Sequence, residues 1–384
     1  MKTFITNCHI ISPNIEMNNA VIEINDDKIS NIFTDGSQFD LTTADKIIDA
    51  KNNYVMPGFI DIHCHGRSGY DFTSADVDGI TQIAVDKLKE GVTSVLATTL
   101  TLSEDMLATS LTEIAKYMEK DEVPGAKIPG VHLEGPYVNP KQLGAQNPDY
   151  VRPTDIEEVK RLNSIAKVLK VSFAIETEGG INFVSDLKKA GICPSCVHSL
   201  ATYEEFSKAH KQGLNNLSHF CNQMTPLHHR DIGLVGAGFL HDDVTIEMIC
   251  DKIHLSEPLI QLAFKVKTAN HIQLITDAME ASGLEDGEAS LGGLVVVIKD
   301  GAARLKSNGA LAGSTLQMNQ ALKNIYEITK LPLKELVKTT SLNQARELNL
   351  PHLGKIEADY FADIVILNQD FNIENILVNG IEKM

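Results

Sequence analysis

His63 and His65 stand two residues apart at the end of the apolar run Phe59-Ile60-Asp61-Ile62, which leaves a Pro57-Gly58 turn and runs into Gly66. In an extended strand alternate side chains share a face, so the two imidazoles lie ~6.5 Å apart along the chain and can converge on one ion. The pair alone is a short pattern; its place at the end of an Ile/Phe-type strand gives it weight, because barrel enzymes carry their chemistry there. Further along, Glu134 follows Val131-His132-Leu133, His198 follows Ser195-Cys196-Val197, His219 follows Asn215 to Ser218, and Asp277 follows His271 to Thr276. Imidazole and carboxylate are the ligands that a borderline divalent cation such as Zn2+ accepts. A single buried histidine is more often a hydrogen-bonded core residue than a ligand. Four of them with two acids, left unpaired inside a protein, would each cost on the order of 1–3 kcal/mol. A metal centre accounts for the set.

To bring these residues together the chain must place several strand ends around one axis. Strand-like segments run Gly58 to His63, Val92 to Thr98, Ile128 to Leu133, Val168 to Glu176, Ser195 to His198, Asn215 to His219, Val244 to Cys250 and His271 to Asp277. Helical patterns alternate with them over Asp76 to Glu90, Glu104 to Glu119, Thr154 to Asn163, Ile181 to Ala190, Tyr203 to Gln212 and Glu257 to Thr268, most opened by Asp, Ser or Thr. Eight strands with intervening helices predict an α/β fold, a (β/α)8 TIM barrel over residues 56–354, with a doubly wound open sheet as the alternative. Polar residues at most strand ends favour closure. Gly292 to Leu305 reads as an inserted hairpin, and Ser314 to Thr329 and Pro332 to Leu348 as closing helices.

The termini read differently. Short strands at Thr3 to Ile11, Ala20 to Asn25, Lys28 to Phe33 and Lys46 to Asp49 are separated by turns such as Asn25-Asp26-Asp27 and Asp35-Gly36, and strand patterns return at 361–367 and 373–380. Neither piece has the apolar surface to stand alone. Residues 1–55 and 355–384 are therefore expected to join in one small β-sandwich.

With 384 residues, 43% of them hydrophobic, the chain can bury a large core, and its formal charge of −17 argues against binding nucleic acid or an anionic membrane by bulk electrostatics. A phosphorylated substrate would need a local basic pocket. The first residues lack a basic segment followed by a long apolar run, which predicts a cytoplasmic protein with no membrane span. Six scattered cysteines read as free thiols, and the Cys193-Pro194-Ser195-Cys196 spacing, without a second pair, as structural.

The stretch Pro57 to Gly66 resembles the opening motif of the amidohydrolase superfamily. His132-Leu133-Glu134-Gly135-Pro136-Tyr137, Gly144-Ala145-Gln146-Asn147-Pro148, Ser218 to Met224, Ile275-Thr276-Asp277-Ala278 and Leu311-Ala312-Gly313-Ser314 narrow the resemblance to the N-acetylglucosamine-6-phosphate deacetylases. It covers nearly the whole chain, split terminal unit included. It implies a metal-dependent hydrolase of amino-sugar catabolism or cell-wall sugar recycling, which converts N-acetylglucosamine 6-phosphate to glucosamine 6-phosphate and acetate. Glu134, His198 and His219 match the family's principal metal ligands. His63 and His65 match members that hold two ions, with Glu134 as the bridge, so one or two divalent metals per chain are expected, Zn2+ first and Fe2+, Co2+ or Mn2+ as other candidates. Lys170, at the start of its strand, is not placed to supply a carbamylated bridge.

By the same resemblance Asp277, beside the metal, is the general base and acid for metal-activated water attacking the acetamide. Asn222, Arg230 and His254 match the sugar-phosphate contacts, with Arg230 able to serve a neighbouring subunit's site in a homodimer; on sequence alone, without the resemblance, Arg230 reads as a surface residue paired with Asp231. One departure stands out: Gln146 occupies a position where many relatives carry histidine, and a neutral amide can donate to the acetyl carbonyl but cannot become charged. His132 reads as strand support. Two other readings compete: another amidohydrolase, such as a cyclic amidase or deaminase, and an inactive barrel serving as an assembly protein. A phosphate pocket argues against the first, and a complete ligand set against the second.

Overall fold

The computed structural model describes residues 1–34 and 37–384, so the Asp35-Gly36 turn expected from the sequence lies outside the described residues. Eight parallel strands follow one another in chain order: β1 (Phe59–Cys64), β2 (Val92–Thr99), β3 (Val131–Glu134), β4 (Val168–Phe173), β5 (Cys193–Cys196), β6 (Asn216–Leu217), β7 (Thr245–Met248) and β8 (Ile272–Leu274). Every residue of β1, β2, β3 and β4 is buried, as expected of strands covered on both faces. Helices lie between them, and the sequence fixes where they start. Asp76 accepts from the Gly79 amide ahead of Val77–Leu88, Ser103 caps Glu104–Met118, and Thr202 and Glu205 form a reciprocal capping box on Tyr203–Lys211.

Closure runs through the site residues themselves. The Asp277 amide donates to the His63 carbonyl at 2.9 Å, and the His65 and Gly66 amides both donate to the Ala278 carbonyl at 2.8 and 3.0 Å. These bonds join the end of β8 to the end of β1 and make the barrel nearly closed, as the polar strand ends predicted.

Strands from both termini share one mixed sheet. Lys2–Ile11 pairs with Glu16–Asn25 on one side, and on the other with Lys46–Asp49 and Tyr54–Pro57 in parallel; Tyr54–Pro57 in turn pairs with Ile364–Leu367. Asn7, at φ 53°, lies within the first of two register shifts of this strand, between Ile5 and Cys8, and Ile5, Ile10, Ile22, Ile364 and Leu377 fill a separate apolar cluster of the sheet.

Three elements differ from the sequence reading. The inserted hairpin is a three-stranded antiparallel sheet, Gly287–Leu291, Leu294–Lys299 and Ala302–Leu305, because Gly292-Gly293 forms a second turn with both residues at positive φ. Gly233–Leu240 is a helix, although its sequence Gly-Leu-Val-Gly-Ala-Gly-Phe-Leu carries no polar face to mark the period. The segment expected as one helix over Pro332 to Leu348 is broken into Leu333–Leu336, a 3₁₀ turn at Val337–Thr339, and Leu342–Glu347. No helix among the described residues is long and apolar enough to cross a membrane.

Candidate active site

At the carboxyl end of the barrel the structure brings His63, His65, Glu134, His198, His219 and Asp277 together, all buried. His63 and His65 come from the end of β1 and Glu134 from the end of β3. His198, His219 and Asp277 lie just past β5, β6 and β8, and all three adopt left-handed backbone, with φ 45°, 30° and 49°. For residues with a Cβ this conformation costs about 1–3 kcal/mol each and recurs at functional sites. It also explains why these strands stop short of the histidine or aspartate that the sequence reading included in them.

Two ligand-type clusters share one carboxylate: His63, His65 and Glu134 form the first, and Glu134, His198 and His219 the second. Glu134 Oε1 lies 3.3 Å from His63 Nε2, 3.5 Å from His198 Nε2 and 3.2 Å from His219 Nε2, while its Oε2 lies 3.3 Å from His65 Nε2. Asp277 Oδ1 faces the first cluster, 3.3 Å from His65 Nε2 and 3.5 Å from His63 Nε2.

The opposite edge of three rings shows which nitrogen carries hydrogen. His65 Nδ1 faces the Thr98 carbonyl at 3.3 Å, His198 Nδ1 the Gln142 carbonyl at 2.7 Å, and His63 Nδ1 the Glu247 carboxylate at 3.4 Å. Each Nδ1 is then an N–H donor, and each Nε2 turns a lone pair toward carboxylate oxygens. Buried acceptors facing one another need a positive charge among them. The donor set therefore fits divalent cations, and in the metal-free protein a proton stands in. Burial acts to lower the His65 pKa, but the Asp277 and Glu134 carboxylates outweigh it and hold it well above the usual imidazole value. Burial likewise acts to raise the two carboxyls; His63, His198 and His219 hold Glu134 well below its ordinary range, and His63 and His65 hold Asp277 below it.

A model of the amidohydrolase family matches residues 54–382 of the sequence. The chain belongs to the amidohydrolase family. It is 37% identical over 337 residues to the N-acetylglucosamine-6-phosphate deacetylase of Lysinibacillus sphaericus, covering 87% of this chain and 86% of that one. It is 34% identical to the N-acetylgalactosamine-6-phosphate deacetylase of Escherichia coli O157:H7, over 85% of this chain and 86% of that one. The crystal structure of an N-acetylglucosamine-6-phosphate deacetylase from Thermotoga maritima superposes with a TM-score of 0.90 at 36% identity, covering 99% of each chain.

In this amidohydrolase the polar cluster opens into a pocket of about 360 Å³, lined by Gln146, Asn222, His254, Leu291, Arg304 and Leu311 beside the cluster residues. Gly144 lets the loop close over the ring of His198: its φ is +56°, and a Cβ there would sit 3.0 Å from His198 Cε1. Gln146 is buried and held at both ends of its amide, accepting from the Thr101 amide at 2.8 Å and donating to Glu134 Oε2 at 2.6 Å. One of its two N–H groups therefore orients Glu134, a use the sequence did not disclose. Asn222 donates to the His219 carbonyl at 3.2 Å, and His254 is anchored through Nδ1 to Asp251 at 2.7 Å.

Arg230 is not brought to this pocket among the described residues; its exposed guanidinium lies 2.8 Å from His229 Nε2, and no bond to Asp231 accompanies it. Arg304, on the inserted sheet, is the arginine that lines the pocket; it is exposed, and its Nη1 donates to the Gly309 carbonyl at 3.0 Å. Sequence reasoning passed over it because one arginine in a hairpin reads as surface. His132 supports the strands as expected: its Nδ1 lies 3.0 Å from the Ile62 carbonyl and its Nε2 2.6 Å from Ser172 Oγ, and burial together with His63 depresses its pKa far below the imidazole norm.

Asp61 was also passed over. Its Oδ2 accepts from Lys87 Nζ at 2.8 Å and from Thr276 Oγ1 at 2.5 Å, and its Oδ1 lies 3.3 Å from the Thr276 amide and 3.4 Å from the His63 amide. One carboxylate so fixes the backbone beside both His63 and Asp277. Its signal in the sequence is an acid inside an otherwise apolar strand.

Proposed function

We propose that the chain hydrolyses N-acetylglucosamine 6-phosphate to glucosamine 6-phosphate and acetate, with His63, His65, Glu134, His198, His219 and Asp277 holding divalent metal. The observation that carries this reading is the pair of His/Glu clusters sharing Glu134, with Asp277 facing one of them from the barrel seam. The relatives are named deacetylases of N-acetylglucosamine 6-phosphate and N-acetylgalactosamine 6-phosphate, and that chemistry supplies the substrate class. Nitrogen and carboxylate donors suit Zn2+, with Fe2+, Co2+ and Mn2+ as further candidates.

A divalent ion bound there supplies Lewis acidity, polarising the acetamide carbonyl and bringing the pKa of water down to about 7. The chain's own residues do the rest. Asp277, ionised because His63 and His65 hold its pKa down, accepts a proton from the attacking water at its carboxylate. As the C–N bond breaks, the same carboxyl returns that proton to the departing nitrogen, so the amine leaves neutral and the acyl group leaves as acetic acid, whose proton passes to the amine or to solvent to give acetate. Gln146 keeps Glu134 aligned and presents its remaining N–H toward the pocket. Asn222 and His254 bind the sugar phosphate, and Arg304 adds a guanidinium for the phosphate from within the chain. Arg230 reaches the corresponding phosphate across the interface of a homodimer. None of the six thiols is paired among the described residues, which suits a reducing, cytoplasmic place of action.

The test is acetate release from N-acetylglucosamine 6-phosphate, and in parallel from the galactosamine epimer, before and after chelation, with metal counted per chain on the same sample. Turnover that vanishes with the metal and returns on reloading is expected. Metal-loaded protein that releases no acetate from either sugar would reject the reading.

A further inference from the structure

Behind His63, on the side away from the pocket, three barrel strands converge on a fully buried ion pair. Glu247, in the middle of β7, contacts Lys170 Nζ from β4, and both side chains are 0% exposed. The other Glu247 oxygen lies 3.4 Å from His63 Nδ1, long for a hydrogen bond, and no other acceptor faces that nitrogen among the described residues. Lys170 Nζ is also 3.2 Å from Asn216 Oδ1, so the ammonium is held from β6 as well. The His63 ring is pinned edge-on against His132, with centroids 4.6 Å apart and planes at 85°. His63 Nε2 makes no hydrogen bond among the described residues, although carboxylate oxygens stand 3.3 and 3.5 Å away.

An ion pair this deep is a poor device for stability, since desolvating both charges offsets most of their attraction. Its geometry serves another purpose. A carboxylate at Nδ1 keeps the hydrogen on that nitrogen and frees Nε2 as a donor atom, and such partners of a ligating histidine set its tautomer and raise its basicity. We infer that Glu247, itself fixed by Lys170, is a positioning residue that commits His63 to the Nδ1–H form and directs its Nε2 at the ion shared with His65 and Glu134. His65 and His198 use backbone carbonyls for the same purpose, so His63 alone among these three depends on a replaceable side chain. The inference rests on reading the site as a two-ion centre.

The experiment is a chelator-competition titration of metal-free protein with Zn2+, comparing wild type with Lys170→Met/Glu247→Met, a pair that removes both charges and keeps the volume. Glu247→Gln, which keeps the shape and an acceptor oxygen beside Lys170 and His63, is titrated beside it as a second variant, so the test does not rest on the double substitution alone. The expected result is that one ion weakens by about 10–100-fold while the other, held by Glu134, His198 and His219, is unchanged. In a His63→Ala background the Glu247 substitution should then change nothing further. General loosening of the barrel would instead weaken both ions together, and that result, or two unchanged affinities, overturns the assignment. A wild-type chain that takes up a single ion overturns the two-ion reading, and this inference with it.

Discussion

The amide of Asp277 donates to the carbonyl of His63 across 2.9 Å, so the acid at the end of the last barrel strand is hydrogen-bonded to the imidazole residue at the end of the first. The seam that closes the barrel and the face that gathers the ligands are one structure. Changing the Asp277 side chain leaves this backbone bond intact. Asp277→Asn should therefore keep its metal and its fold while turnover falls by about 10²–10⁴-fold, the usual worth of a general acid–base group. Acetate release and metal content measured on one sample decide it; near-normal turnover removes Asp277 from that role.

Asp61 ties both sides of the same seam, and Lys87 is the buried cation that balances it, in contact also with Glu90. Lys87→Met leaves Asp61 a buried carboxylate without a cation, while Glu90 keeps Arg67 at 3.5 Å, and should cost about 3–5 kcal/mol, read as a lower urea midpoint. An unchanged midpoint would show that the cluster contributes nothing to holding β1 against the end of β8.

Metal uptake should release a proton. His65 in the metal-free protein has a pKa raised well above the ordinary imidazole value by Asp277 and Glu134, so it carries hydrogen at neutral pH, and an ion must displace it. The sign follows: affinity for the ion rises with pH until the raised pKa of His65 is passed, then levels. Calorimetric titration at pH 7 in buffers of different ionisation enthalpy measures this directly, and an observed heat independent of buffer would contradict it.

The two arginines make opposite predictions. Arg304→Gln should raise KM for the phosphorylated sugar by roughly 10–100-fold, the worth of one charge-assisted hydrogen bond, and leave the unphosphorylated sugar unaffected. On the proposal that Arg230 serves the neighbouring site of a homodimer, mixing Arg230→Gln chains with Asp277→Asn chains should restore activity at about a quarter of the sites, those in mixed dimers with an intact pocket. Two inactive parents that stay inactive after subunit exchange would place Arg230 outside the partner's site.

Much of this architecture is legible in the chain because apolar runs that end in His, Glu or Asp mark barrel strands and their chemistry together. His63, His65 and Glu134 sit at the strand ends where the pattern puts them. His198, His219 and Asp277 were found, but not their left-handed backbone, because propensity describes an average residue and these three are held against their preference by the surrounding loops. Glu247 and Asp61 were missed as partners since a lone acid in an apolar strand does not say which strand across the barrel it faces. Arg304 was missed because only the folded hairpin brings it over the pocket, and Gly233–Leu240 because a helix without a polar face has no period to read.

The pairing of Tyr54–Pro57 with Ile364–Leu367 also has a meaning in time. Roughly 300 residues separate the two strands, so on a ribosome adding about 5–20 residues per second the first strand waits on the order of tens of seconds for its neighbour. During that interval its Val55 and Met56, both fully buried in the finished protein, face solvent along an unpaired edge. A nascent chain caught before residue 364 should be the state most prone to capture by chaperones or by another copy's edge, and completing the sheet is what ends its exposure.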